Sequence, residues 1–521
     1  MNKGNIYNNL SKVTIVILGI YLLIMSTITR PALCGEGSNY LMEMVALENH
    51  ASLFFKESDY QKAAIDFPEV YPTIQLRMDN NIHIGKKLHL KSGREVEHGW
   101  YAATYSLCCI PLHIILKLLK LPQSYCFQLT NVIFYLLALC LVYLKLNISE
   151  KNKFITILLL SFSPGIFHIL WLSAEVFICS LIIISLIFWT NKSYKYSCLF
   201  CALACTMNPT IGVLLFVIFI DYFLSLYKLN SAGMKHEFIS VVQKNMKEIL
   251  EVILFSFISV IPFIYNYIYF GTINLSAEYG SFNDYTYRYI SYLFDLNFGL
   301  LPYFGISLII FILLDIIGII RRNKESILYF IAFFGTIGAY SIMCHINCGV
   351  TAIHRYNSWI FPIFIFYLTT VGCNLLPKNI IEKIFYDIMY CSAVLTTLVV
   401  FLYGGVMAVN TISHVDFTPM AKIVLNYCPS LYNPYHYTFV SRTNHEDGGY
   451  HYEHPVIYTN DNGDVRKILV TPSTVSELKN KLDGNENSLN YLNNRIENIE
   501  NKKDGFYYIN ISNKYNLRMN S

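Results

Sequence analysis

The chain has 521 residues, of which 54% are hydrophobic and only 14% charged. Soluble domains carry roughly a quarter charged residues, so this composition excludes an ordinary soluble protein and implies a membrane protein. A net charge of +4 is too mild for a nucleic-acid binder and fits lysines spread over membrane loops.

Lys3 and Lys12 precede an apolar run at 13–29, read as an uncleaved first helix because many further runs follow. Those runs lie at 100–120, 127–146, 154–171, 173–190, 197–227, 249–270, 298–320, 327–344, 358–376 and 387–408. The expected fold is an α-helical polytopic membrane protein with about 11 transmembrane helices. The run 197–227 carries Asn208-Pro209 and is either one kinked span or two short ones.

Three basic loops read as cytoplasmic: Lys228 to Lys247, Arg321 to Lys324, and Lys378 with Lys383. They put 30–99, 271–297, 345–357 and everything after 409 on the extracytoplasmic side. The side occupied by Lys145, Lys151 and Lys153 stays open. Two regions follow: a membrane module over 1–408, with a large first outer loop at 30–99, and a small α+β extracytoplasmic domain over 409–521.

In the first loop, Asn39 to Phe55 is expected to form a helix lying on the membrane face. In the tail, strands are expected at 437–441, 455–459, 465–471 and 506–512. A charged helix is expected from about 475 to 501, with Thr474 as its cap. Most of the 14 cysteines sit in apolar runs and act as small hydrophobes. Cys34, Cys344, Cys348 and Cys428 flank spans, where a Cys344–Cys348 or Cys34–Cys428 bridge is compatible with the topology.

Several polar residues stand where chemistry is available. Glu36, between Gly35 and Gly37 at the outer mouth of the first span, is placed to act as a base or, alternatively, to start the following helix. Glu175, after Ser163-Pro164-Gly165 and Trp171 to Ala174, is an ionisable group in an apolar stretch. Such a group faces a cavity or a partner, or else caps the helix that follows. Arg355, within His354-Arg355-Tyr356-Asn357, offers a planar charged fork to a phosphate or to lipid head groups; Arg288 is a weaker equivalent. His98-Gly99-Trp100-Tyr101 and Phe298-Gly299 to Tyr303 mark outer membrane edges. His445, His451 and His454 with Glu446, Asp447 and Glu453 lack metal-site spacing and read as a surface loop. No nucleotide-binding glycine loop or nucleophile elbow occurs in a suitable context.

The order of these features resembles the GT-C superfamily of membrane glycosyltransferases, the group with protein O-mannosyltransferases and aminoarabinose lipid A transferases. The similarity runs from Glu36 and Tyr40-Leu41 through His98-Gly99-Trp100-Tyr101, Ser163-Pro164 and Ala174-Glu175. It continues through Gly299 to Tyr303, Arg355-Tyr356 and Pro429 to Pro434, and covers about residues 10–435. Glu36 stands where the family usually has Asp, and Asn208 where a Lys is frequent.

The resemblance implies an inverting transfer of a sugar from a polyprenyl-phosphate donor to an acceptor hydroxyl outside a plasma membrane. Glu36 would be the catalytic base, and Arg355, His354 and Arg288 would hold the donor phosphate. Glu175, Tyr40, His98 and Tyr356 would position the acceptor or a divalent metal. The implied partners are the lipid-linked donor, a glycan, lipid or protein acceptor, and membrane lipids. Other readings of the same residues are a transporter or flippase of lipid-linked sugars, an outer-face polysaccharide polymerase, and a non-catalytic scaffold.

Overall fold

The computed structural model describes all residues except 1–2, 32, 34–35, 81–83, 100–101, 231–241, 276–280, 344–352, 376–379, 405–414, 447–451 and 521. The chain is mostly helical. Among the described residues, six helices are long and apolar enough to cross a bilayer: Gly4–Ile28, Tyr125–Lys145, Pro209–Tyr227, Met246–Phe270, Leu300–Ile320 and Asn357–Leu375. At about 1.5 Å of rise per residue, each can traverse most or all of a ~30 Å hydrocarbon core. Shorter apolar helices occupy Thr104–Leu118, Glu175–Thr190 and Tyr390–Val399.

Several of the expected runs are interrupted, two of them at a 3-10 turn that proline opens. The run 154–171 stops being α-helical at Ser161, and a short 3-10 turn at Pro164–His168 takes over. The run 197–227 resolves into two helices, Tyr194–Met207 and Gly212–Asn230. Between them, Asn208 caps a 3-10 turn by accepting hydrogen bonds from the Thr210 amide and hydroxyl. Proline lacks the amide a continuous helix needs, which favours a break at these two turns.

Two compact units emerge. The first comprises the described residues of Met1–Ser281, Phe304–Met343 and Arg355–Val409. Besides the apolar helices it holds a small antiparallel sheet in the order β1 (Phe54–Phe55), β3 (Glu95–His98), β2 (Lys86–His89). The Gly37–His50 helix differs from the expected surface helix, because every residue from Gly37 to Ala46 is buried. It packs on the Thr104–Leu118 helix, where the Ser106 hydroxyl bonds both the Tyr40 carbonyl and the Glu43 carboxylate at 3.0 Å.

The second unit comprises the described residues of Phe282–Tyr303, Cys344–His354 and Asn410–Ser521. Strands β4 (Val456–Thr459), β5 (Val465–Val470) and β7 (Tyr507–Asn510) pair antiparallel in that order. A second pair joins β6 (Leu482–Gly484) and β8 (Leu517–Met519). The segment expected as a strand at 437–441 lies inside the helix His436–Asn444. The expected helix at 475–501 is split by β6, and its main part, Glu486–Glu500, is capped by Asn485 rather than Thr474. Leu492, Ile496 and Ile499 form one stripe of that helix and close the core against β5 and β7.

Candidate functional site

Two close backbone approaches in the first unit assemble a charged cluster. The Ser163–Glu175 segment is the hub. At one end, Gly37 lies so near it that a Cβ would sit 2.9 Å from the Leu172 carbonyl oxygen, which seats Glu36 beside Glu175. At the other, a Cβ on Gly165 would fall 2.1 Å from the Phe361 ring and 3.1 Å from the Ser358 carbonyl, which brings in the start of the Asn357–Tyr367 helix. Only glycine permits contacts this tight.

Arg355 stands one turn before that helix, with its carbonyl accepting a bond from the Ser358 hydroxyl at 2.5 Å. Its Nη2 lies 3.6 Å from Glu36 Oε1 and its Nη1 lies 3.8 Å from Glu175 Oε1. The guanidinium is thus addressed from two sides. Both separations exceed the ~2.7–2.9 Å of a direct charge-assisted hydrogen bond. Glu36 is 31% exposed, whereas Glu175 and Arg355 are only 9% and 12% exposed. One carboxylate therefore faces an approach route and the other is enclosed. Tyr356 lies against the guanidinium, 5.5 Å from ring centroid to Cζ, and packs edge-on to Tyr340 and tilted against Trp359.

Sequence reasoning missed one neighbour and a second buried carboxylate on the helix that follows Glu36. His168 is fully buried, edge-on to Trp171, and lies within electrostatic reach of Arg355. Neither ring nitrogen of His168, nor Trp171 Nε1, Ser173 Oγ or Glu175 Oε2, has a hydrogen-bond partner. Glu43, seven residues after Glu36 on the same helix, is fully buried against Gly99. An isolated His in an apolar run was the only available signal for the first, and a period-seven carboxylate pair for the second.

Of the remaining expected residues, Tyr40 is buried edge-on to Tyr105, 5.3 Å between ring centroids. His98 ends β3, packed among Phe54, Tyr265 and Phe270. His98 and Tyr356 both line a cavity of about 410 Å³, together with Thr206, Asn208, Pro209 and Tyr265. Trp100, Tyr101, Cys34, Cys344, Cys348, Asp447 and His451 lie outside the described residues.

Arg288 and His354 belong to the second unit. Arg288 is 2% exposed and donates from Nη1 to the Asn283 carbonyl at 2.6 Å. His354 is buried edge-on to Tyr292, and its amide donates to the Phe298 carbonyl at 3.0 Å. Nearby, Asp295 accepts from the Tyr432 hydroxyl at 2.7 Å and from the Asn297 and Phe298 amides at 2.8 and 3.3 Å. In the tail, His445 pairs with Asp416 at 2.6 Å and His454 with Glu477 at 3.0 Å, so these two histidines have separate partners.

Glu48, Asp66 and His113 each offer one ligand atom within 4.8 Å of the others. Their neighbours already answer them: Lys117 holds Asp66 at 2.8 and 2.9 Å, Lys62 lies 3.5 Å from Glu48, and Gln123 contacts His113 at 2.6 Å. That arrangement is an ion-pair network.

No family model, no curated protein and no solved structure matches this chain.

Proposed function

We propose that the chain is a membrane glycosyltransferase that moves a sugar from a polyprenyl-phosphate donor to an acceptor hydroxyl, with inversion, on the extracytoplasmic face of its membrane. The observation that carries this reading is the Glu36–Arg355–Glu175 cluster. Its arginine lies between two carboxylates, and only one of them is open to an approaching molecule.

In this reading the acceptor oxygen attacks the anomeric carbon as the bond from that carbon to the phosphate oxygen breaks. Glu36 accepts the hydroxyl proton. The departing phosphate keeps the electron pair, and Arg355 stabilises the charge that builds on it. Glu175 holds the guanidinium in place from the enclosed side. Arg355 spans 3.6 and 3.8 Å to its two carboxylates, so a phosphate oxygen can compete for its outer nitrogens. A divalent cation would seek the same two carboxylates, so phosphate neutralisation is assigned here to Arg355.

The test is sugar release or transfer in lipid nanodiscs, using a panel of radiolabelled polyprenyl-phosphate sugars with the wild type and Glu36→Gln. Turnover by the wild type alone supports the reading. Donor binding without turnover by either protein would favour transport, and binding of no lipid-linked sugar would sink the proposal.

A further inference from the structure

Three helices of the second unit differ in what they leave exposed. Glu486–Glu500 exposes Asn493, Asn494, Arg495, Glu497, Asn498 and Glu500, the face of a helix that meets water. Tyr285–Phe294 and Pro419–Tyr427 do the opposite. Tyr287, Ile290 and Phe294 are 43–57% exposed, and Met420, Ile423 and Tyr427 are 45–68% exposed. Both triplets follow the same i, i+3, i+7 spacing, so each lies along one face of its helix. Phe282 and Leu431, just beyond the two helices, are more exposed still.

These faces are not unfinished core, because each helix already packs by its other side. Ser291, Tyr292 and Leu293 are buried in the first. Ala421 and Leu425 of the second join a core with Leu296, Phe417, Tyr432 and Phe439. Neither helix contains an Asp or a Glu, and their charges are the buried Arg288 and the exposed Lys422. Exposed faces so apolar and so poor in charge call for an apolar neighbour.

The backbone says which neighbour. Asp295, which ends the first helix, accepts from the Gly299 amide at 3.0 Å, and Leu300 begins an apolar span. Thr418, which caps the second helix, donates from its hydroxyl to the Leu296 carbonyl at 2.6 Å and from its amide to Asn297 Oδ1 at 3.1 Å. One end of each helix is thus fastened to 295–299, the segment from which the chain enters the bilayer. A helix tied there has the headgroup layer within reach. Tyrosine suits that layer, with an apolar ring and a wet hydroxyl, and so does a lysine whose stem lies along apolar surface.

We infer that Tyr285–Phe294 and Pro419–Tyr427 form a lipid-docking surface, which lays the second unit on the headgroup and upper acyl region of the bilayer its own chain crosses. The depth that such amphipathic helices reach is ~5–10 Å. The inference needs Leu300–Ile320 to cross a bilayer and is independent of the glycosyl-transfer reading. A second copy of the chain is the competing occupant of these faces, and the experiment separates the two.

The experiment uses the full chain in liposomes of phosphatidylethanolamine and phosphatidylglycerol. Photoreactive p-benzoyl-phenylalanine replaces Ile290 or Ile423, or Asn494 on the polar helix as the control. After irradiation, adducts are identified by mass spectrometry. The expected result is phospholipid adducts at 290 and 423 and none at 494. The replaced side chains are exposed, so the unfolding transition should stay at its wild-type position. Where it does not, Tyr287 or Tyr427 carries the probe on the same face. Absence of phospholipid adducts from either apolar helix, or adducts at 494 matching theirs, overturns the inference. Crosslinked pairs of chains in place of lipid adducts overturn it too, and assign the surface to a second copy.

Discussion

Each unit buries a carboxylate close to an arginine, and the two clusters are built to opposite specifications. In the second unit Asp295 is enclosed, with three donors at 2.7–3.3 Å. Burial pushes its pKa up, and the Tyr432 hydroxyl and the Asn297 amide pull the other way. In the first unit the Glu36 and Glu175 contacts to Arg355 are 3.6 and 3.8 Å, and Glu36 is open. A carboxylate answered by three donors at short range holds structure together. One held loosely at an opening keeps the capacity to bind or to take a proton. The difference separates a scaffold from a candidate site without reference to any relative.

The comparison breaks most visibly at Glu36. Glu36→Gln keeps the size and much of the hydrogen bonding but removes the base, so turnover should fall by roughly 10²–10⁴, the usual contribution of a positioned general base. The unfolding transition should stay where it is in the wild type. Equal loss of stability and activity would make Glu36 another Asp295.

Asp295→Leu should do the reverse. Tyr432 and two backbone amides would lose their acceptor. Arg442 would lose the negative charge it faces, and its Nε and Nη2 have no hydrogen bond to fall back on. Each stranded group costs about 1–3 kcal/mol, so a loss on the order of 3 kcal/mol is expected in thermal or denaturant unfolding. Donor binding by the folded fraction should be unaffected.

The sequence made one cluster legible and left the other hidden, and the reason is physical. Glu36, Glu175 and Arg355 are charges at the edges of apolar runs, and a charge there is conspicuous because it is costly. Asp295, Tyr432 and Arg442 sit in mixed polar segments where a charge is unremarkable, and their meeting depends on contacts between distant parts of the chain. His168 hid for a related reason, since a single histidine in an apolar run reads as core. Apolar runs located the helices well. They did not show where the helices break, because uniform apolarity carries no period that marks an end. Strands at 456–459, 465–470 and 507–510 are legible from strand-forming runs and turn residues, whereas 437–441, inside the His436–Asn444 helix, reads as a strand from its aromatic and β-branched residues.

A smaller effect sharpens the account of how the first cluster is assembled. In Gly37→Ala the new methyl group would press on the Leu172 carbonyl at 2.9 Å and on its Cβ at 3.2 Å. Backbone does not yield easily, so overpacking should cost about 1–3 kcal/mol. The relief available is a shift of Glu36 away from Glu175. Turnover should therefore drop more than stability alone explains, with donor affinity nearly kept. If turnover tracks the folded fraction and nothing more, the glycine serves packing and not the site.

The smallest predicted effect concerns Lys467 in β5, a buried cation with no carboxylate partner among the described residues. Its ammonium donates to Asn433 at 2.7 Å and also contacts Asn510, and burial lowers its pKa to about 7. An unfolded lysine titrates near ~10.4, so between pH 7 and that value the unfolded chain holds the extra proton. Stability must then rise with pH across this window, the reverse of what an ion-paired lysine would give. Between pH 7 and pH 9 the gain should be on the order of 1 kcal/mol, visible in the unfolding of the second unit and absent in Lys467→Met. A flat profile in the wild type would mean that the two asparagines solvate the ammonium well enough to keep it charged, and that Lys467 belongs with the answered groups around Asp295.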